Sequence, residues 1–332
     1  MDLSILDQIP ISTQGNAKMA LENTVKLAQM GEKLGYKRIW YSEHHGAANL
    51  ASSAPEIVIA HVASQTQRIR IGAGGIMLMH YSPLKVAEVF KTLEAFYPNR
   101  IDLGIGRAPG GDRHAIMALA QGKLPNATNI YDKVDIVRAL LLDQQPQYEL
   151  YQKTLATPEI ETVPSIWLLG SSGESAREAS LKGMGYSYAQ FFSGKMNPEA
   201  FNYYNKNFKP SPFMPEKKLS VAFYAMACET TEEADYYALP YLIAMMNLLR
   251  GQRMNKFLTA EEATTYPLTE LDRALVEKVK DALLIGTPQL IAEKLRRYAE
   301  TYQIDEAMIM TFADPQEIRH ESYRLIAKEF NL

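Results

Sequence analysis

The sequence predicts an α/β protein of the (β/α)8 TIM-barrel class, and three observations support this prediction. Eight short runs of β-forming residues alternate with segments of helical periodicity, which is typical of parallel strands joined by helices. The length of 332 residues suits one barrel with extensions. We find no repeat of fixed length, low-complexity tract or linker, so we expect a single domain over residues 1–332. A doubly wound open sheet is the main alternative.

The predicted strands are short runs rich in β-branched and aromatic residues that end at turns or polar residues. They are Leu3–Leu6, Arg38–Tyr41, Ile69–Gly75, Arg100–Ile105, Ile166–Leu169, Tyr186–Gln190, Leu219–Ala227 and Glu306–Thr311. Apolar residues at three- and four-residue steps, together with capping residues, indicate the helices between them. These helices are predicted over residues 17–34, 53–66, 131–142, 175–184 and 315–330, and beginning near residues 82, 198, 230 and 287.

Local signals define several helix boundaries more closely. Gly35 is expected to end the first helix, and Ser53 begins a capping box with a proline in the first turn. Two longer segments depart from the repeat. Residues 106–129 are predicted to be a loop that is too long for a simple connector, and residues 247–285 a largely helical insertion after the seventh strand.

The composition excludes several classes of function. A formal net charge of -3 with 47% hydrophobic residues gives no electrostatic reason to bind nucleic acid. The single cysteine, Cys228, excludes an internal disulfide and a cysteine-based zinc cluster. The N-terminus does not resemble a signal peptide, and no apolar run approaches the length of a membrane span. We therefore expect a cytoplasmic protein.

The segment Glu43-His44-His45 directly follows the second predicted strand, where parallel α/β proteins place their chemistry. Side chains of neighbouring strand residues point to opposite faces, so two adjacent imidazoles rarely chelate one ion, and we expect no metal. One histidine of the pair is expected to pack or to form hydrogen bonds behind the sheet. A catalytic base is the functional alternative for the other, because imidazole titrates near neutral pH.

Two other strand ends offer groups that suit a phosphate. Gly170-Ser171-Ser172-Gly173 precedes a helix, and its backbone N–H groups and hydroxyls could bind an anion, although simple N-capping by Ser172 explains it equally well. Arg107 follows the fourth strand and carries the planar fork that binds phosphate, or it forms a surface ion pair.

Glycines at the end of the third strand, Gly74 and Gly75, would let a flat ligand approach the main chain, although an ordinary turn explains them too. The segment from Gly104 to Pro109 has the wrong last residue for a dinucleotide-binding fingerprint. The phosphate loop ending in Lys-Ser/Thr and the His-Glu-x-x-His motif are absent from the sequence. Nicotinamide and nucleoside triphosphate chemistry therefore lack their usual markers.

Taken together, these motifs resemble the bacterial luciferase-like monooxygenase family, whose members are flavin-dependent barrels. The resemblance covers nearly the whole chain, and its most specific parts are Glu43-His44-His45 and Gly104–Arg107. It is closest to the single-chain, alkanal-monooxygenase-like branch. The resemblance implies that His44 is the acid/base group beside the flavin ring, with His45 near it and Glu43 a candidate to orient them. It implies that Arg107 holds the phosphate of FMN.

The remaining site residues come from the same resemblance. It implies that Ser171 and Ser172 contact the phosphate or the ring, and that Ser175 adds a hydroxyl in the first turn of the helix. It also places Gly74-Gly75 where the family has a non-proline cis peptide under the isoalloxazine.

Two residues depart from the light-emitting enzyme. Gly106 stands where that enzyme has a reactive cysteine, and Leu6 replaces an aromatic residue. The same substrate, or light emission, is therefore not to be assumed. The resemblance implies that reduced FMN reacts with O2 to give a C4a-peroxyflavin, which oxygenates a small organic, aldehyde-like substrate.

Because the chain has no dinucleotide fingerprint, we predict that a separate flavin reductase supplies reduced FMN. The resemblance implies a second copy in a homodimer. The alternatives are a deazaflavin-dependent dehydrogenase on the same barrel and a flavin-binding protein without turnover. Should the resemblance be accidental, a phosphosugar-handling barrel would also suit Arg107 and the serine loop.

Overall fold

The computed structural model describes residues 1–108, 110–122, 129–252 and 254–332. Parallel strands that follow one another along the chain form its centre. The strands are β1 (Asp2–Asp7), β2 (Arg38–Tyr41), β3 (Arg70–Ile76), β4 (Ile101–Gly106), β5 (Ser165–Gly170), β6 (Gly185–Ala189), β7 (Leu219–Ala227), β8 (Leu284–Gly286) and β9 (Glu306–Met310).

Eight of these strands close into a barrel. The order is β6-β5-β4-β3-β2-β1-β9-β7, and a parallel pairing between β6 and β7 joins the two ends. The three-residue strand β8 lies outside this ring and pairs with β7, with Leu284 opposite Ala225. The predicted (β/α)8 barrel is confirmed, and the open sheet is wrong. The sequence pattern missed β8 because three residues show no period.

Helices connect successive strands and cover the outside of the barrel. They are α1 (Ala17–Leu34), α2 (Pro55–Ser64), α3 (Pro83–Phe96), α4 (Arg113–Leu119), α5 (Ile130–Leu141), α6 (Gly173–Lys182), α7 (Gln190–Ser193), α8 (Pro198–Asn207), α9 (Thr231–Leu249), α10 (Ala260–Thr264), α11 (Glu270–Lys280), α12 (Pro288–Tyr302) and α13 (Gln316–Glu329). Among the described residues, no helix is both long enough and apolar enough to cross a membrane.

Capping explains why some helix boundaries agree with the sequence and others do not. Helix α1 has the predicted bounds because the side chain of Asn16 accepts a hydrogen bond from the N–H of Met19, and Gly35 adopts φ 95°. The predicted capping box at Ser53 is wrong. Helix α2 begins after Ala54 without a side-chain cap, and the proline at its first position supplies the start.

Residues 106–129 and 247–285, which depart from the strand–helix repeat, contain regular elements that the sequence pattern did not predict. Helix α4 lies within the predicted loop 106–129, of which residues 109 and 123–128 lie outside the described part. Residues 247–285 contain the end of α9, the helices α10 and α11, and the first two residues of β8. Residue 253 of this segment is likewise not described.

The amino-terminal ends of the strands hold a buried ion network inside the barrel. Arg38 Nη1 lies 2.7 Å from Asp102 Oδ2, and Arg38 Nε lies 2.9 Å from Glu306 Oε1. The indole Nε1 of Trp40 donates to the same Asp102 oxygen at 3.0 Å. These charges are compensated by one another, so this end of the barrel serves stability, and the opposite end is left for a site.

Candidate functional site

A cavity of about 740 Å³ opens at the carboxyl ends of the barrel strands. It brings together eight of the nine residues that the sequence predicts for the site. Its lining includes Glu43, His44, Gly74, Gly75, Arg107, Ser171, Ser172 and Ser175. His45 does not line it.

The side chain of His44 contacts two serine hydroxyls. Its Nδ1 lies 3.1 Å from the hydroxyl of Ser42 and 3.4 Å from that of Ser52, and its backbone N–H donates to the carbonyl of Ser52 at 2.9 Å. The residue is half-buried and lines the cavity. The two hydroxyls hold the ring in place at Nδ1.

Glu43 forms hydrogen bonds to three other residues of the site. Its side chain is buried, with one oxygen accepting from the hydroxyl of Tyr81 at 2.5 Å and lying 2.7 Å from Nε2 of His45. The other oxygen accepts the backbone N–H of Met77 at 2.9 Å. Burial, and then Glu43 itself, raise the pKa of Tyr81, so the phenol stays a donor. Glu43 thus joins the end of β2 to the segment that follows β3.

His45 therefore belongs to the support of the site. Besides its contact with Glu43, its backbone N–H donates to the carbonyl of Gly110 at 2.9 Å. The two adjacent imidazoles face different partners, as the alternation of side chains along an extended chain predicts. Among the residues that the structure describes, no three His, Cys, Asp or Glu side chains are grouped as metal ligands.

The peptide bond between Gly74 and Gly75 is cis, and it lies where the pairing of β3 with β4 shifts register. Both residues line the cavity, yet their neighbours on the other side are protein atoms. A β-carbon on Gly75 would lie 2.7 Å from the carbonyl oxygen of Gly104, and one on Gly74 would lie 3.0 Å from Leu6. The packing of adjacent strands is therefore sufficient reason for both glycines.

The serine loop between β5 and α6 is open to an anion. Ser172 occupies the N-cap position, but its hydroxyl caps no backbone N–H and instead lies 3.4 Å from the hydroxyl of Ser175. Simple N-capping is therefore wrong, and the N–H groups of the first turn keep their capacity for a ligand. From behind, the hydroxyl of Tyr186 donates to the carbonyl of Ser172 at 3.2 Å and holds the loop in place.

Arg107, at the end of β4, extends toward this loop and forms an ion pair with Glu174, the second residue of α6. Both side chains are partly exposed, at 43% and 55%. The surface ion pair considered for Arg107 is therefore present. The pair places the guanidinium of Arg107 beside the serine loop. The two groups predicted to bind a phosphate therefore lie together.

The other part of the cavity is mostly apolar. It is walled by residues of α7 and α9, by the segment after α9 and by the loops after β2 and β9. These residues are Leu50, Phe191, Phe192, Tyr241, Ala244, Met245, Leu248, Met254, Phe257 and Phe312. Gln8, Asn49 and Gln252 add amide groups. Such a wall suits an organic ring system or an apolar substrate.

Sequence reasoning missed four residues of the site. Ser42 and Ser52 hold His44, Tyr81 donates to Glu43, and Glu174 pairs with Arg107. Ser42 is adjacent to the motif and was open to notice. Ser52 lies eight residues after His44, Glu174 is adjacent to Ser175, and Tyr81 reaches Glu43 from the segment after β3. No local pattern shows which side chains these three contact.

The family model of the luciferase-like monooxygenases matches residues 1–303. The chain belongs to this family. Among relatives, an uncharacterized protein of Bacillus subtilis (strain 168), YceB, is 38% identical over 328 residues, covering 99% of each protein. The N-acetyl-S-alkylcysteine monooxygenase of the same organism is 35% identical over 330 residues, covering 98% of this chain and 97% of the relative.

Solved structures show the same fold over the whole length. The crystal structure of apo-MsnO8 has a TM-score of 0.89 and 32% identity, covering 100% of this chain and 98% of that one. The oxygenating constituent of 3,6-diketocamphane monooxygenase from Pseudomonas putida, in complex with FMN, has a TM-score of 0.71 and 18% identity, covering 99% and 97%. An F420-dependent secondary alcohol dehydrogenase has a TM-score of 0.70 and 15% identity, covering 98% of both chains. At these last two identities, the likeness concerns the fold alone.

Proposed function

We propose that this protein is an FMN-dependent monooxygenase that receives reduced FMN from a separate reductase and inserts one oxygen atom of O2 into a small apolar substrate. The observation that supports this most is the single cavity that joins His44 to the serine loop and Arg107. A relative of similar length is named as a monooxygenase, and a structure of the same fold is described with FMN.

The residues present fit FMN at both of its ends. The uncapped first turn of α6, with Ser172 and Ser175, suits a phosphate. On the ring side, a β-carbon at Gly106 would meet no atom closer than 3.9 Å, so the space in front of β4 is open. Arg107 provides the cation and the apolar wall provides the surface for a flat ring.

FMN in its reduced form would supply the activation of dioxygen. The chain itself would bind the phosphate through Ser171, Ser172, Ser175 and Arg107. His44 would hold or move a proton at its ring, with Ser42 and Ser52 keeping the ring in place from Nδ1.

The remaining tasks are support and exclusion of water. Glu43, through Met77 and Tyr81, would hold in place the segment that follows the Gly74-Gly75 peptide. His45 anchors that carboxylate from the other side. The apolar wall would exclude water from the ring side of the cavity, where the bound flavin would act on O2 and the substrate.

A stopped-flow experiment tests the proposal directly. Reduced FMN, bound to the protein and mixed with O2, is expected to reoxidise much more slowly than free reduced FMN and through more than one phase. His44→Ala should change the rates or the number of phases of this reoxidation, because an acid/base group beside the ring is lost. His61→Ala, on the exposed face of α2, is the matched control.

Other outcomes would identify other functions. Tight binding of the deazaflavin cofactor without FMN binding would indicate a dehydrogenase. Rapid single-phase reoxidation, equal in the wild type and His44→Ala, would indicate a flavin-binding protein without turnover. Absence of affinity for any flavin would refute the proposal altogether.

A further inference from the structure

The ion pair between Arg107 and Glu174 has a consequence for the site in which it lies. Glu174 is the second residue of α6 and stands in the first helical turn, next to Ser175, whose side chain is buried at the serine loop. A carboxylate at this position gains from the partial positive charge of the helix end. It therefore occupies, electrostatically, the place that a phosphate would take.

A phosphate group at the serine loop and the carboxylate of Glu174 would share one guanidinium. The Nη1 group of Arg107 already donates to Glu174, so a phosphate would bind at the remaining N–H groups of the same cation. The single positive charge of Arg107 would then be divided between two anions, and the carboxylate of Glu174 would repel the phosphate beside it. Both effects oppose binding of a phosphate.

The influence of this carboxylate extends to the interior of the same corner. Burial raises the pKa of the Tyr131 hydroxyl, and the negative charge of Glu174 raises it further, whereas Arg107 and the hydroxyl of Ser175 lower it. The charge of Glu174 is thus felt by the hydroxyl of Tyr131 in this corner of the site.

We propose that Glu174 is an internal competitor for the phosphate site, which pairs with Arg107 in the free protein and lowers the affinity for phosphate-bearing flavin relative to flavin without phosphate. This inference rests on the proposed function, because it assumes that FMN places its phosphate at the serine loop. Weaker binding of the phosphate would also let FMN dissociate after the reaction, which a protein that receives reduced FMN from a separate reductase requires.

The size of the effect follows from the exposure of the pair. Side chains that are 43% and 55% exposed form a pair of modest strength, and its removal corresponds to about a two- to fivefold gain in FMN affinity. Riboflavin carries no phosphate and should be bound equally well by both forms. The gain should therefore be visible as a change in the ratio of the two affinities.

The test measures binding rather than turnover. Oxidised FMN and riboflavin are titrated into the wild type and Glu174→Gln at low salt, where screening is weak, and flavin fluorescence reports binding. Inorganic phosphate is also titrated as a competitor of FMN. Glu178→Gln is the matched control. It removes the same charge one turn further along α6, where the partners are Arg177 and Lys182.

The expected result is tighter binding of FMN and of inorganic phosphate in Glu174→Gln, with riboflavin unchanged and Glu178→Gln like the wild type. An unchanged or weaker FMN affinity in Glu174→Gln would overturn the inference, as would an equal gain for riboflavin. If the wild type binds neither flavin, whether oxidised or reduced under anaerobic conditions, the proposed function itself fails. The two failures are therefore distinguishable.

Discussion

Replacing Glu43 by leucine tests the role of the carboxylate that joins β2 to the segment after β3. The substitution keeps a side chain of comparable bulk but removes both oxygens. It leaves three donors without their acceptor: the hydroxyl of Tyr81, the N–H of Met77 and Nε2 of His45. Each is at a buried or half-buried position, so water replaces the lost carboxylate only in part.

The magnitude follows from these contacts. A buried donor left without an acceptor costs about 1–3 kcal/mol, and the imidazole of His45 regains some hydration because its side chain is 16% exposed. We expect Glu43→Leu to lower the free energy of unfolding by about 3–5 kcal/mol, as the loss of one partner from a buried charged network does. Urea unfolding followed by tryptophan fluorescence measures this quantity.

Two control variants show whether the network is the cause. Tyr81→Phe removes one of the three donors and should cost only about 1 kcal/mol. Tyr97→Phe removes a single bond to the carbonyl of Ala60, away from the cavity, and should cost about the same. A loss for Glu43→Leu that is no larger than that of Tyr81→Phe would refute the reasoning.

Three further predictions concern other parts of the barrel. Burial raises the pKa of Asp102, but the positive charges of Arg38 and Arg70 outweigh burial and hold this pKa below 3.8. The stability that the ionised Asp102 contributes should therefore be lost only as the pH falls below 3.8. Asp102→Asn should cost about 3–5 kcal/mol in urea unfolding at pH 7, and a cost below 1 kcal/mol would contradict the network. Gly75→Ala should cost about 1–3 kcal/mol, because the new β-carbon would lie 2.7 Å from the carbonyl of Gly104; an unchanged midpoint would count against this close packing. Burial and neighbouring arginines lower the pKa of His320 from 6.5 to about 4, so stability should decline as the pH falls from 6.5 toward 4, and His320→Gln should flatten that decline in unfolding curves measured across this range.

Regular elements follow from the sequence where their ends carry a local chemical signal. The bounds of α1 were predicted from its apolar periodicity and from Gly35 at its end, and the structure shows that Asn16 caps its start. The bounds of β7 were predicted from a run of β-forming and apolar residues. The capping box at Ser53 failed for the opposite reason. The right residues were present, but α2 begins at Pro55 with no side-chain bond to its first turn.

Elements without a local signal were missed. Strand β8 is three residues long and forms only because β7 presents an unpaired edge beyond the ring. Helix α4 is seven residues within a segment whose glycines favour a loop. Strand β8 depends on pairing with a distant strand, and both β8 and α4 are too short to show a period. A window of neighbouring residues therefore predicts neither element.

For the candidate site, the sequence by itself determined which residue types stand at the ends of the barrel strands. The tertiary structure decided what each one touches. Only the closed barrel brings Met77 and Tyr81 to Glu43 and pairs Arg107 with Glu174. The physical reason is that position along a strand follows from local periodicity, whereas a hydrogen bond or ion pair depends on atoms from segments that meet only after the barrel has closed.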